Sequence, residues 1–184
     1  MNKSGINVLS CFKLVSFDTD DLKLLTTVYR VMYPDRQTEE SNLTETTYKF
    51  GSFKIWSNKY GSKMQPRGIH SAKILASWPA KNAQVLQDAL FFLSPGIVQY
   101  YFTHSTKLGE EHVMHYFACV RWFLAQEESY FANPIKINKN EFHPGGPASF
   151  MPLQRVYSRF ASAELELEGQ QTIAVAEITR NVFL

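Results

Sequence analysis

The hydrophobic pattern of this chain changes period near residue 46, and the elements it predicts change with it. In "DTDDLKLLTTVYRVMY", residues 18–33, Leu22, Leu25, Val28, Tyr29 and Met32 recur at helical spacing and form the apolar stripe of an amphipathic helix. Asp18 or Thr19 can cap its start, Asp20 and Asp21 suit the positive end of the helix dipole, and Pro34 stops it. "DRQTEESNLTET" then reads as a polar connector.

From Tyr48 the alternation runs by twos. "YKFGSFKIWS" alternates loosely, and "IHSAKILASW" sets Ala72, Ile74, Ala76 and Trp78 on one face and Ser71, Lys73 and Ser77 on the other. "NKYGSKMQPRG" between them reads as turn or loop. "KNAQVLQDALFFL" reads as a short helix striped by Val85, Leu86, Ala89 and Leu90, or as a loop. "IVQYYFTHS" and "HVMHYFACVRWFLA" flank the turn "TKLGEE", and the second is apolar enough on both faces for a central strand. "NPIKIN" is a short strand. In "HPGGP", Gly145 and Gly146 free the backbone while Pro144 and Pro147 stiffen the flanks, which makes a tight turn. "ASFMPLQRV" follows as a strand with Pro152 at an edge or bulge, and "QTIAVAEI" is the last strand. Glu164, Glu166 and Glu168 alternate with Leu165 and Leu167, the pattern of a strand with one wet face.

The expected fold is therefore mainly β, of the α+β kind. About seven short strands make a partly open small β-barrel or sandwich, with the N-terminal amphipathic helix packed on it. Residues 1–45 form an N-terminal segment of helix and connector, and residues 46–184 the β-rich domain.

Composition narrows the function classes. The chain has 184 residues, 45% of them hydrophobic and 20% charged, enough to bury a core without metal or disulfide staples. Cys11 and Cys119 cannot build a disulfide framework and read as reduced thiols of an intracellular protein. The N-terminus does not read as a signal peptide, and no apolar run approaches a membrane span, so no membrane partner is expected. The net charge of +2 hides a basic middle, because residues 46–87 hold Lys49, Lys54, Lys59, Lys63, Arg67, Lys73 and Lys81 and no acidic residue.

Catalytic chemistry finds little support. His112 and His115 stand three apart in a strand and so point to opposite faces, while His70, His104 and His143 lie in different elements without a neighbouring ligand, so no metal is expected. Cys119 sits among apolar neighbours that raise a thiol pKa, although Arg121 shares its face by alternation. Phosphate loops and nucleophile elbows are missing. No catalytic residue and no cofactor are expected, and the chain reads as a non-enzymatic binding module.

The basic middle interleaves cations with aromatic rings, the composition of a surface that neutralises phosphates and stacks on bases. On that reading Lys54, Lys59, Lys63, Arg67 and Lys73 contact phosphate, Trp56 and Tyr60 stack, and Arg155 and Arg159 supplement them. The plain alternative is that the aromatics are core and the lysines solvate an outer face. A different functional class is a protein–protein or peptide-binding module with an aromatic groove and no affinity for nucleic acid.

Several segments together resemble one known domain. "SAKILASW", "SPGIVQYYFTHS", "HVMHYFACVRWFLA", "GGPASFMPLQRVYSRF" and "ITRNVFL", in that order, are similar to a domain of uncharacterised invertebrate proteins, cnidarian and molluscan ones among them, encoded in repetitive, mobile-element-derived genes. "DLKLLTTVYRVMYP" resembles the segment preceding that domain. The resemblance implies a mobile-element origin, a nuclear, DNA- or RNA-associated or chromatin setting, and a place as the C-terminal part of a longer protein whose N-terminal part, or another chain, is a partner. It implies no activity. After the Trp-Phe pair, where such proteins carry a His-Pro-containing stretch, this chain reads "LAQEESYF". "FACVRWF" also resembles a strand of bromo-adjacent-homology domains, an analogy of fold alone.

Overall fold

The computed structural model describes residues 6–9, 12–36, 39, 43–55, 57–78, 80–81, 84–85, 93–125, 135–167 and 170–178. The strands are β1 Ile6–Val8, β2 Lys13–Ser16, β3 Thr46–Phe50, β4 Phe53–Ile55, β5 Asn58–Tyr60, β6 Lys73–Ala76, β7 Ala80–Lys81, β8 Gln84–Val85, β9 Ser94–Leu108, β10 Glu111–Ala125, β11 Ile135–Phe142, β12 Phe150–Pro152, β13 Val156–Leu167 and β14 Gln170–Glu177. The helix α1, Thr19–Met32, lies where the periodicity places it. Asp18 is its N-cap and accepts the Asp21 N–H at 2.8 Å, and Leu25, Val28 and Tyr29 are the buried stripe. Among the described residues no helix is long and apolar enough to cross a membrane.

Among the described residues the fold is mainly β with one α-helix packed on a large sheet, as the sequence pattern implies. Its frame is the antiparallel hairpin of β9 and β10, paired from Gly96–Trp122 to Leu108–Glu111. Gly109 supplies the positive φ of 67° that so short a turn demands. β10 matches the long strand read at 112–125, and β9, also of 15 residues, extends the segment read at 97–105 at both ends.

The pairings β10–β11–β14–β13–β6–β9 and β9–β10 close a ring of six strands, without making a clear barrel. Inside it lies a small core of Leu75, Phe123, Ile137, Phe160 and Val175. The larger core surrounds the hairpin. Alternation sends Phe102 and Phe117 to one face, under α1 and Phe150, and Tyr101 to the other, against Phe53 at 4.6 Å. A three-stranded sheet, β1–β4–β5, covers that second side.

Several local expectations are corrected. Asn58–Tyr60, read as loop, forms β5, because Tyr60 gains a stacking partner in Phe53 across the turn. The stretch 148–156 is no single strand: β12 pairs with β10 as an edge and ends at Pro152, then a 3-10 turn, Leu153–Arg155, redirects the chain into β13. Of the segment 81–93, Lys81 and Gln84–Val85 belong to a two-residue antiparallel pair rather than a helix, and 82–83 and 86–92 lie outside the described residues. Residues 161–166 of β13 are exposed on both faces, Leu165 included, so the expected single wet face is not found there; Glu168 lies outside the described residues. The segment 1–45 is woven into the rest: β1 pairs with β4, β2 with β3, and α1 shares the main core.

Candidate binding surfaces

The basic residues of the sequence reading fall into separate places. Lys54 and Lys59 face each other directly across the β4–β5 hairpin, with Asn7 next in the row. Alternation turns them outward, away from buried Phe53 and Tyr60. Like charges directly opposite cost stability, and among the described residues no carboxylate forms an ion pair with either. Lys63 is exposed in the following turn, whose backbone is held by a Lys63 N–H bond to the Val98 carbonyl at 2.9 Å.

Tyr60 is only 4% exposed, its ring stacked on Phe53 at 5.0 Å, so it belongs to the core and presents no face to a base. Trp56 lies outside the described residues. Arg67 lies in the 3-10 turn Pro66–Ser71, and its side chain is likewise not described. Lys73 is on the ring of six strands, where its Nζ donates to Ser162 Oγ at 2.6 Å and lies over Phe160. Arg155 and Arg159, expected to share a strand face, sit in different elements with a register shift between Val156 and Ser158. The Arg155 guanidinium lies 6.0 Å from the Trp78 ring centre. Lys54 and Lys59 thus belong to the β4–β5 hairpin, whereas Lys73, Arg155 and Arg159 belong to β6, the 3-10 turn and β13.

Cys119 is hydrogen-bonded to Tyr100, and burial pushes its thiol up to about 11, which disfavours the thiolate. A bulge after Cys119 leaves its extra residue, Gln99, in β9, and Arg121 is exposed with its guanidinium over Phe142 at 3.9 Å. Among the described residues no group of three or more metal-ligating side chains converges.

Sequence reasoning missed two features. The first is an open apolar face. Leu14 faces Tyr48, Tyr48 faces Thr103, and Thr103 faces Tyr116, one row across β2, β3, β9 and β10. Leu14 is 57% exposed, Tyr48 50%, Phe12 52% and Met114 60%, and Phe12 packs edge-on against Tyr48 at 5.9 Å. Beside this row β2 is the last strand of its sheet. Phe17 N–H donates to Glu45 O at 2.8 Å, so alternation aims the backbone of Val15 and Lys13 at β3 and that of Leu14 and Ser16 outward. The signal was present as apolar residues at 12, 14 and 48, but which strands they join is a long-range fact.

The second is a pair of buried histidines. His104 and His115 are direct partners in the hairpin and lie under α1. Tyr29 Oη is 3.0 Å from His104 Nδ1 and Tyr33 Oη 3.1 Å from His115 Nε2. Residues eleven apart in sequence gave no local sign of it. Compared with known families, curated proteins and solved structures, the chain matches none.

Proposed function

We propose that the chain is a non-enzymatic binding module whose partner is another polypeptide. An extended segment of that partner adds to the free edge of β2 and lays apolar side chains along the Phe12, Leu14 and Tyr48 row. The observation that carries this reading is the coincidence of an exposed apolar sheet face with a strand edge that no other strand pairs with among the described residues. Outward backbone groups at Leu14 and Ser16 supply main-chain hydrogen bonds, and the row supplies side-chain specificity. Charge refines the partner. Lys13 and Lys49 are neighbours on the opposite face of the same edge, so the partner residue facing Lys13 is acidic and its neighbours apolar.

Selection from a displayed library of short random peptides tests this. Enriched sequences alternate apolar and acidic residues, and Ser16→Pro abolishes their binding. That substitution removes an outward donor, leaves the β3 ladder intact and spares the apolar row. Unchanged binding by Ser16→Pro contradicts strand addition, and enrichment of this chain's own β2 sequence points to self-association instead.

A second reading has its own observation, the opposed Lys54 and Lys59 with Lys63 beyond them. It is nucleic-acid association, in the nuclear, mobile-element setting that the resemblance implies. Salt-sensitive binding to short DNA or RNA, weakened by Lys54→Glu with Lys59→Glu, supports it. No binding at low salt removes it.

A further inference from the structure

The groups that docking leaves unused lie beneath α1. His104 Nε2 is 3.0 Å from the Thr44 carbonyl oxygen, which only accepts, so Nε2 carries the proton and donates. Nδ1 is then bare and receives the Tyr29 hydroxyl proton. Both ring nitrogens of His104 are engaged, which leaves no open position for a metal ion. Four residues on, Tyr33, the C-cap of α1, shares a hydrogen bond with His115 Nε2 from above. The neutral imidazole of His104 is the form this site fits.

We propose that these two histidine–tyrosine contacts form a pH-sensitive latch, holding α1 on the sheet at neutral pH and releasing it in mild acid.

A proton added at His104 Nδ1 displaces the one Tyr29 donates, so the hydroxyl must turn. It also places a charge in a space closed by Phe17 and Tyr29, with a second imidazole, itself against Phe117, opposite. From α1 the facing groups are Tyr29 and Tyr33, with Arg36 acting on the Tyr33 hydroxyl; from the approach to β3 it is the Thr44 carbonyl; from β10 it is His115. Among the described residues no carboxylate pairs with either ring to hold a cation. Burial holds His104 down at about 4, against the opposing Thr44 bond, and also lowers His115. A released histidine titrates near its ordinary 6.5. The released state therefore binds more protons as pH falls from about 6.5 towards 4, and docking, fully present above that window, is lost through it.

Amide hydrogen exchange on the whole chain, corrected for intrinsic rates, reads the latch at Leu25 and Val28 of α1 and at Phe102 and Phe117 of the hairpin. His104 alone predicts that the opening of α1 rises about thirtyfold between pH 8 and pH 5, with hairpin protection retained. His115 adds to this rise, and His115→Gln, which keeps an amide near Tyr33 but cannot titrate there, removes the added part. Imidazole titration of the unaltered chain needs no variant, and it places His104 well below 6.5. Flat α1 protection, simultaneous loss of helix and hairpin protection, or a His104 midpoint at or above 6.5 overturns the latch. None of these outcomes bears on docking at β2.

Discussion

The two faces of the β9–β10 hairpin are made by alternate residues of the same strands, yet they handle water in opposite ways. Under α1, Phe102 and Phe117 stack at 5.2 Å, and even the polar members, His104 and His115, are buried with partners. On the reverse face near Tyr48 and Met114, apolar side chains stand in solvent. A protein gains nothing in its own stability by leaving these large apolar groups wet. The closed face helps to hold the fold, and on the proposed reading the exposed part of the reverse face, beyond buried Tyr101 and Phe53, serves a partner.

Substitutions that pit one face against the other should separate these roles. Phe117→Ala, at the centre of the closed face, is expected to cost about 3–5 kcal/mol in urea denaturation, by lost burial and a residual cavity. Tyr29→Phe leaves His104 Nδ1 without its donor while keeping the ring, and is expected to cost about 1–3 kcal/mol by the same measurement. On the open face, Leu14→Ser should stay within about 0.5 kcal/mol of the unaltered chain, and so should Met114→Ser. Those two surface changes should differ in binding: Leu14→Ser, beside the free edge, weakens peptide capture more than Met114→Ser, three strands away. Equal stability costs on both faces would erase the distinction between them.

Much of this architecture was legible in the residues. The stripe of Leu25, Val28 and Tyr29 located α1 to within a residue at either end, and the alternation around Ile74 gave the buried face of β6, where Ala72, Ala76 and Trp78 are also buried. The apolar run around Phe117 was read as a central strand, and β10 does pair with β9, β11 and β12. What stayed hidden depends on register between distant strands. His104 and His115 meet only because the hairpin turns at Gly109, and Leu14 joins Tyr48 only because α1 folds back between them. The basic middle was visible, but composition does not say which lysines share a surface; pairing sets Lys54 opposite Lys59, while Lys73 is carried off to the six-stranded ring. Tyr60 illustrates the same limit, because alternation cannot tell a ring that stacks on Phe53 from one that meets a ligand.

Strand addition at β2 is tested most directly by exchange at two amides, Leu14 and Ser16, with and without a selected alternating peptide. Both N–H groups are predicted to exchange freely in the isolated chain and to become protected on binding, while Val15, already aimed at β3, changes little. Protection that appears at Lys54 and Lys59, or nowhere along β2, would contradict the account.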